Sequence, residues 1–140
     1  MNISGKMQGD KFLFPARVYY EDTDAGGVVY YANYLKFAER ARTEFLRFLG
    51  KNQIEDLNAK IRHAFVVKHC EEDYHRPAVL DDLLTVTCKI VEVGAASVKI
   101  EQKILRGEEL LTEIKVTAVY VDVDKKKPIR LPAYLRSFVA

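Results

Sequence analysis

The most constraining feature of the sequence is one long stretch with helical periodicity. From Asn33 to Leu49, apolar side chains recur every three or four residues, which is typical of a helix with one buried face. We predict that the helix stops at Gly50 and that Arg40 and Glu44 pair on its polar face. A helix of this kind requires a sheet to pack on. The predicted buried positions are Tyr34, Phe37, Ala38, Ala41, Phe45, Phe48 and Leu49.

Most of the remaining chain has the two-residue alternation of β-strands. The mostly polar residues 51–62, with scattered apolar positions, indicate only a short helix or an irregular link. Short glycine-containing turns separate the last three alternating stretches, which predicts an antiparallel meander. The predicted fold class is therefore α+β, with one long helix on an antiparallel sheet. Strands are predicted at residues 11–20, 63–74, 83–93, 97–106 and 110–122.

A single helix covers only one face of such a sheet. In the last strand, Val119 and Val121 alternate with the row predicted to face the helix, so they point to the other side. We therefore expect an interface with another copy of the chain, and hence a homo-oligomer.

An acidic turn precedes the long helix. Glu21, Asp22 and Asp24 lead into Gly26-Gly27, which places a carboxylate near the start of the helix. Unpaired N–H groups at a helix N-terminus can bind an anion or polarise a carbonyl. Aspartate is also favoured in turns and caps for purely structural reasons, so the residue pattern alone leaves both interpretations open.

Composition limits the other classes of function. A length of 140 residues predicts a single domain, residues 1–140. The formal net charge is only +2, which argues against a nucleic-acid partner. Cys70 and Cys88 are too few for a disulfide framework, and neither a signal sequence nor a membrane span is recognisable. We expect a cytoplasmic protein without stable membrane insertion.

The segment from Arg17 to Arg42 resembles a known signature. The run Asp-Thr-Asp-Ala-Gly-Gly-Val-Val-Tyr, followed by Asn-Tyr-Leu and a Glu-Arg helix, is similar to that of hotdog-fold acyl-CoA thioesterases. Within the 4-hydroxybenzoyl-CoA thioesterase-like branch, it looks like the Tol–Pal-associated (YbgC-type) family. The resemblance continues through Phe65-Val66-Val67, residues 81–86, 118–122 and 128–132. It implies a curved antiparallel sheet wrapped around the long helix, a dimer that joins two sheets, and possible tetramers.

The resemblance also implies site residues. Asp24 matches the catalytic carboxylate, as nucleophile or general base, and the backbone N–H of Tyr31 matches the group that faces the thioester oxygen. Candidates for the acyl channel are Tyr30, Tyr34 and Phe37, although aromatic residues on a helix face are usually core. Glu39 is a secondary candidate that would orient the turn, although its pattern alone favours an ion pair on the helix.

A second copy is expected to complete the site. The resemblance places active sites at the dimer interface, so the strand from Phe65 to Tyr74, which begins with Phe65, Val66 and Val67, is expected to help line the partner's site. Relatives often carry His at the position of Tyr31 and Arg at that of Val79, so only a main-chain role is assigned to Tyr31. Candidates for contacts with the CoA phosphates, by charge alone, are Arg76, Lys125, Lys126 and Lys127.

The expected reaction is hydrolysis of an acyl-CoA to free acid and CoA, with no metal and no cofactor. Two alternatives remain, a non-catalytic acyl-thioester binding module and a hotdog dehydratase or hydratase. The latter requires a His with a carboxylate, and the segment from Glu21 to Asn33 contains no His. Asp22-Thr23-Asp24 could instead resemble a metal-binding Asp-x-Asp, but the sequence has no accompanying nucleotide-binding motif.

Overall fold

A computed structural model describes residues 3–50, 53–132 and 135. The long helix is α1, Asn33–Phe48, and a short helix, α2, spans Gln53–Asn58. The structure confirms the α+β class and the single long helix. The strands are β1 (Lys6–Gln8), β2 (Lys11–Arg17), β3 (His63–Tyr74), β4 (Leu83–Val93), β5 (Ser97–Arg106), β6 (Glu109–Asp122) and β7 (Lys127–Pro128).

The strands form one antiparallel sheet in the order β1-β2-β4-β5-β6-β3, with β7 paired to β6. The meander β4-β5-β6 is confirmed. The predicted first strand was too long, because the chain leaves the sheet after Arg17 and forms a 3-10 turn at Tyr20–Asp22. Strands β1 and β7 were not predicted, and β7 begins at Lys127.

Helix α1 packs on the concave face of the curved sheet, as in a hotdog fold. Most of its predicted apolar face is buried, and Gly50 has the positive φ of 91° that favours glycine after a helix. Phe48 is an exception: its side chain is exposed at the last helical residue, although its ring still contacts Phe12 at 5.8 Å. The predicted pair of Arg40 and Glu44 is also wrong, because Glu44 pairs with Arg47 at 2.6 Å.

A buried polar contact fixes α1 on the sheet. Gln102 is fully buried in β5, and its Nε2 donates hydrogen bonds to the Ala38 carbonyl at 2.9 Å and to the Cys88 Sγ at 3.2 Å. Arg42 of the helix donates from Nη1 to the Gln102 Oε1 at 2.9 Å. Because a buried amide is costly to leave unpaired, these bonds favour one position of the helix along the sheet.

Strand β3 is an edge of the sheet, since it pairs only with β6 among the described strands. Val66 and Val67 are 46% and 54% exposed on it. On the face away from α1, Val66 lies directly across from Val119, and Ala64 from Val121. One end of this outer face therefore carries an apolar patch beside an open strand edge.

Candidate active site

The acidic turn forms a small hairpin immediately before α1. The Asp24 N–H donates to the Val28 carbonyl at 2.8 Å, and the Gly27 N–H donates to the Asp24 carbonyl at 3.0 Å. Thr23 and Val29 form a bridge on either side of this hairpin. Gly27 has a φ of 83°, which a residue with a side chain adopts only at a cost. The second glycine is therefore required by the shape of the turn.

The Asp24 carboxylate has one oxygen held and one available. Its Oδ1 accepts a hydrogen bond from the Gly26 N–H at 2.8 Å, which fixes the direction of the side chain. Its Oδ2 has no hydrogen-bond partner among the residues that the structure describes, and Asp24 is exposed. A carboxylate that is held in one direction by one oxygen, while its other oxygen makes no hydrogen bond, can act on a bound substrate as a nucleophile or base.

Asp22, in contrast, has a structural role. It is buried, and its Oδ2 accepts the Tyr19 N–H at 2.8 Å. Its carbonyl accepts two hydrogen bonds from the start of the helix, from the Tyr30 N–H and from the Asn33 Nδ2, both at 2.9 Å. The structural interpretation of the acidic turn thus holds for Asp22, which attaches the hairpin to α1.

The N-terminus of α1 offers an unpaired donor. The Tyr31 N–H has no hydrogen-bond partner within the described segments, and Asn33 is the first helical residue to bond backward, to the Tyr30 carbonyl at 2.8 Å. Free N–H groups at this end carry the positive pole of the helix. The turn that holds Asp24 and the donor of Tyr31 are therefore brought together through Asp22.

A cluster of tyrosines covers this end of the helix. The Tyr31 ring lies 4.9 Å from that of Tyr30 and 6.3 Å from that of Tyr74. Tyr34 lies 5.8 Å from Tyr74, so the cluster joins α1 to the end of β3. Burial and a 2.7 Å hydrogen bond to the Glu72 carboxylate raise the pKa of Tyr74. The sequence indicated Tyr74 only as the last residue of the strand expected to line a partner's site. Its contact with α1 was not predictable from alternation, because the register shift between Val67 and His69 reverses which residues of β3 face the helix.

Tyr34 links the helix to the loop between β3 and β4. It is 3% exposed, and its hydroxyl accepts the Ala78 N–H at 3.1 Å. The Ala78 carbonyl in turn accepts the Val29 N–H at 2.9 Å. Burial raises the pKa of Tyr34, so the phenol stays protonated at neutral pH. Tyr34 is therefore both a core residue and a support for the hairpin of Asp24.

The other candidates lie further from the turn. The exposed Glu39 accepts a hydrogen bond from the Thr43 hydroxyl at 2.9 Å on its own helix, and the contacts of the described residues do not join it to the hairpin. Phe65 is half-buried against Tyr120, at 4.8 Å between ring centroids, while Val66 and Val67 are exposed on β3. Within one copy, these residues do not meet Asp24.

Other properties of the described residues bear on the class of site. Across residues 3–50, 53–132 and 135, no three His, Cys, Asp or Glu side chains cluster in a way that could hold a metal ion. Neither helix in this part of the chain has the length and apolar content needed to cross a bilayer. Of the phosphate-contact candidates, Arg76 is engaged with Glu109 at 2.7 Å.

Comparison with known proteins identifies the family of the chain. The sequence pattern of the Thioesterase-like superfamily matches residues 18–139. The Haemophilus influenzae protein named acyl-CoA thioesterase YbgC is 47% identical over 131 residues, which are 94% of this chain and 96% of that protein. The acyl-CoA thioester hydrolase YbgC of Escherichia coli O6:H1 is 48% identical over 122 residues, covering 86% and 90% of the two chains.

A solved structure extends the agreement to the fold. The probable thioesterase from Bartonella henselae superimposes with a TM-score of 0.82 at 43% identity, covering 86% of this chain and 98% of that one. The resemblance found in the residues of the acidic turn and long helix is thus confirmed over nearly the whole chain. The protein belongs to the Thioesterase-like superfamily and, within it, to the YbgC acyl-CoA thioesterases.

Proposed function

We propose that the protein hydrolyses acyl-CoA thioesters, with Asp24 as the reacting carboxylate and the Tyr31 N–H as the donor to the thioester oxygen. Two groups near the start of α1 carry this proposal, an oriented carboxylate at Asp24 and the backbone N–H of Tyr31. Among the described residues, neither the Asp24 Oδ2 nor the Tyr31 N–H has a hydrogen-bond partner. The names of the YbgC relatives support the reaction class.

The donor acts on the charge that develops during the reaction. When the thioester carbonyl is attacked, its oxygen becomes negative, and a fixed N–H stabilises that charge more than it stabilises the ground state. Removal of one such donor in other enzymes costs about 2.7–4 kcal/mol of transition-state stabilisation. Because the donor at Tyr31 belongs to the backbone, it does not depend on which side chain stands there.

Asp24 can serve in either of two ways. As a nucleophile, its Oδ2 bonds to the acyl carbon, the C–S bond breaks and CoA leaves as a thiolate, after which water opens the mixed anhydride. As a general base, it takes a proton from water while that water attacks the same carbon. Rapid mixing with one equivalent of acyl-CoA separates the routes, because only the first releases CoA before free acid.

The proposal includes a homodimer joined through β3. The strand is 12 residues long and pairs on one side only among the described strands, and Val66 and Val67 are 46% and 54% exposed on it. An open apolar edge of this length favours pairing with another strand. A second copy there would bring Phe65, Val66 and Val67 toward the partner's site, with Tyr30 and Tyr34 beside the acyl group. Glu39 would orient the acidic turn from its position on α1. A tetramer would form through the outer face of the sheet.

We also propose that the protein acts in the cytoplasm. Cys70 and Cys88 are both free thiols, as is usual in a reducing compartment. We further propose an association with the Tol–Pal system, based on the resemblance in the segment from Arg17 to Arg42. Co-purification of Tol–Pal proteins with the tagged protein from growing cells would test it.

The test of the reaction is a panel of acyl-CoA thioesters, from short aliphatic to long-chain and benzoyl, given to the parent, Asp24→Asn and Glu21→Gln. Glu21 is a matched control because it is an exposed carboxylate in the same turn with no hydrogen bond to the described residues. We expect the parent and Glu21→Gln to release CoA and Asp24→Asn to lose nearly all activity. If the parent binds these thioesters without turnover, the protein is a binding module instead.

A further inference from the structure

The segment of residues 77–82 holds the two halves of the proposed site together. We name residues 77–82 the clamp segment. Its Ala78 carbonyl accepts the Val29 N–H at 2.9 Å, and Val79 bridges Val28. The Ala78 N–H donates to the Tyr34 hydroxyl at 3.1 Å. One residue therefore contacts both the hairpin of Asp24 and the helix that begins after Tyr31.

The clamp segment is itself fixed by a carboxylate at its end. The Asp82 Oδ2 accepts the Val79 N–H at 2.9 Å and the Arg106 Nη1 at 2.6 Å. Arg106 also donates to the Pro77 carbonyl at 3.4 Å, so it contacts both ends of the segment. The Asp82 side chain is only 16% exposed, which limits competition from water.

Charges around this carboxylate keep it ionised. Burial alone would raise the pKa of Asp82, but the Val79 N–H and the Arg106 guanidinium lower it overall. Arg106 is held in turn by Glu109 through Nε and Nη2, at 3.0 and 2.8 Å, and Glu109 also accepts from Arg76 at 2.7 Å. Charge-assisted hydrogen bonds of this kind are short and directional. The carboxylates of Asp82 and Glu109, which both bond to Arg106, therefore restrict the position of its guanidinium.

We propose that Asp82 is a positioning residue, which acts through Arg106 and the clamp segment to set the placement of Asp24 relative to the Tyr31 N–H. The inference rests on the proposed function. Within the described residues, the Asp82 side chain makes hydrogen bonds to Val79 and Arg106 and none to the hairpin or to α1. Its effect passes through Val79 and Ala78 to Val29, which continues the hairpin. Reaction rates are sensitive to such placement, since a displacement of about 1 Å can cost about 100-fold.

The test compares Asp82→Asn with Asp81→Asn. Asp81 is the matched control because it is the adjacent carboxylate, its side chain makes no hydrogen bond to the described residues, and asparagine tolerates its φ of 72°. We expect Asp82→Asn to lower kcat by about 10- to 100-fold while KM changes by less than about twofold. We expect Asp81→Asn to match the parent.

Amide hydrogen exchange supplies a second readout that does not need turnover. Exchange of the Val29 and Ala78 N–H groups should accelerate in Asp82→Asn and stay at the parental rate in Asp81→Asn. If Asp82→Asn does not fold, Arg106→Lys takes its place, because lysine keeps the charge but loses the planar fork. An unchanged kcat, or unchanged exchange at Val29, overturns the proposal. If the parent hydrolyses no thioester, the proposed function fails, whereas exchange at Val29 still reports whether Asp82 holds the hairpin.

Discussion

Replacing Tyr34 with phenylalanine should destabilise the protein by removing a single buried hydrogen bond. The Tyr34 hydroxyl is the acceptor for the Ala78 N–H at 3.1 Å, Tyr34 is 3% exposed and Ala78 is fully buried. Phenylalanine keeps the ring contact with Tyr74 at 5.8 Å but leaves the N–H without its acceptor. A buried donor left unpaired costs about 1–3 kcal/mol, so we expect the free energy of unfolding to fall by that amount.

Urea denaturation of Tyr34→Phe and Tyr30→Phe at one protein concentration provides the measurement. Tyr30 is the control because it is 46% exposed and its hydroxyl makes no hydrogen bond to the described residues. We expect Tyr30→Phe to stay within about 0.5 kcal/mol of the parent. A loss below about 0.5 kcal/mol in Tyr34→Phe would show that the Ala78 N–H finds another partner, and would refute the argument that Tyr34 anchors the loop.

Three further predictions concern the turn, the core and the strand edge. Gly26→Ala should lower kcat by about tenfold with the fold intact, because the added Cβ at residue 26 would lie 3.2 Å from the Asp24 Oδ1 and displace the carboxylate. An unchanged kcat would contradict this. Burial raises the pKa of Cys88 from 9.0 to about 12, so unfolding releases its proton across this range. Between pH 9 and 12, the free energy of unfolding from urea titrations should fall with pH for the parent, and its slope should be steeper than that of Cys88→Ala by about 1.4 kcal/mol per pH unit. Parallel curves for the two proteins would contradict this. Val66→Lys should shift the proposed dimer toward monomer in light scattering, whereas Ile54→Lys, a similar change at another exposed site, should not. Equal behaviour of the two variants would argue against pairing through β3.

The sequence predicted the elements that depend on local periodicity. The limits of β3, β4 and β5 agree with the predicted ranges, and α1 begins at Asn33 as predicted. Strands β4 and β5 and helix α1 combine alternation or a regular apolar face with a glycine turn, so local pattern and tertiary packing agree. Strand β3 has no adjacent glycine and a register shift between Val67 and His69, and its apolar run at residues 65–67 indicated it instead. The resemblance in the segment from Arg17 to Arg42 then supplied the arrangement of sheet around helix.

The sequence did not predict features that arise between distant segments. The contact of Tyr34 with Ala78 joins residues 44 apart in the sequence, and that of Asp82 with Arg106 joins residues 24 apart. Neither pair has a spacing that periodicity can detect. The strand β1 is only three residues long, too short for an alternating pattern. Phe48 fits the helical period, but it is the last residue of α1 and its side chain is 52% exposed.

The most direct measurement of the central claim is a single-turnover rate for the best acyl-CoA substrate with parent and Asp24→Asn, alongside calorimetric binding of the same thioester. Asparagine keeps the size and the oxygen that accepts the Gly26 N–H, but it is neither a base nor an effective nucleophile. We predict binding within about threefold of the parent and a rate at least about 1,000-fold lower, since nucleophile and base are lost together. Parental turnover in Asp24→Asn would contradict the account and assign the chemistry to another group.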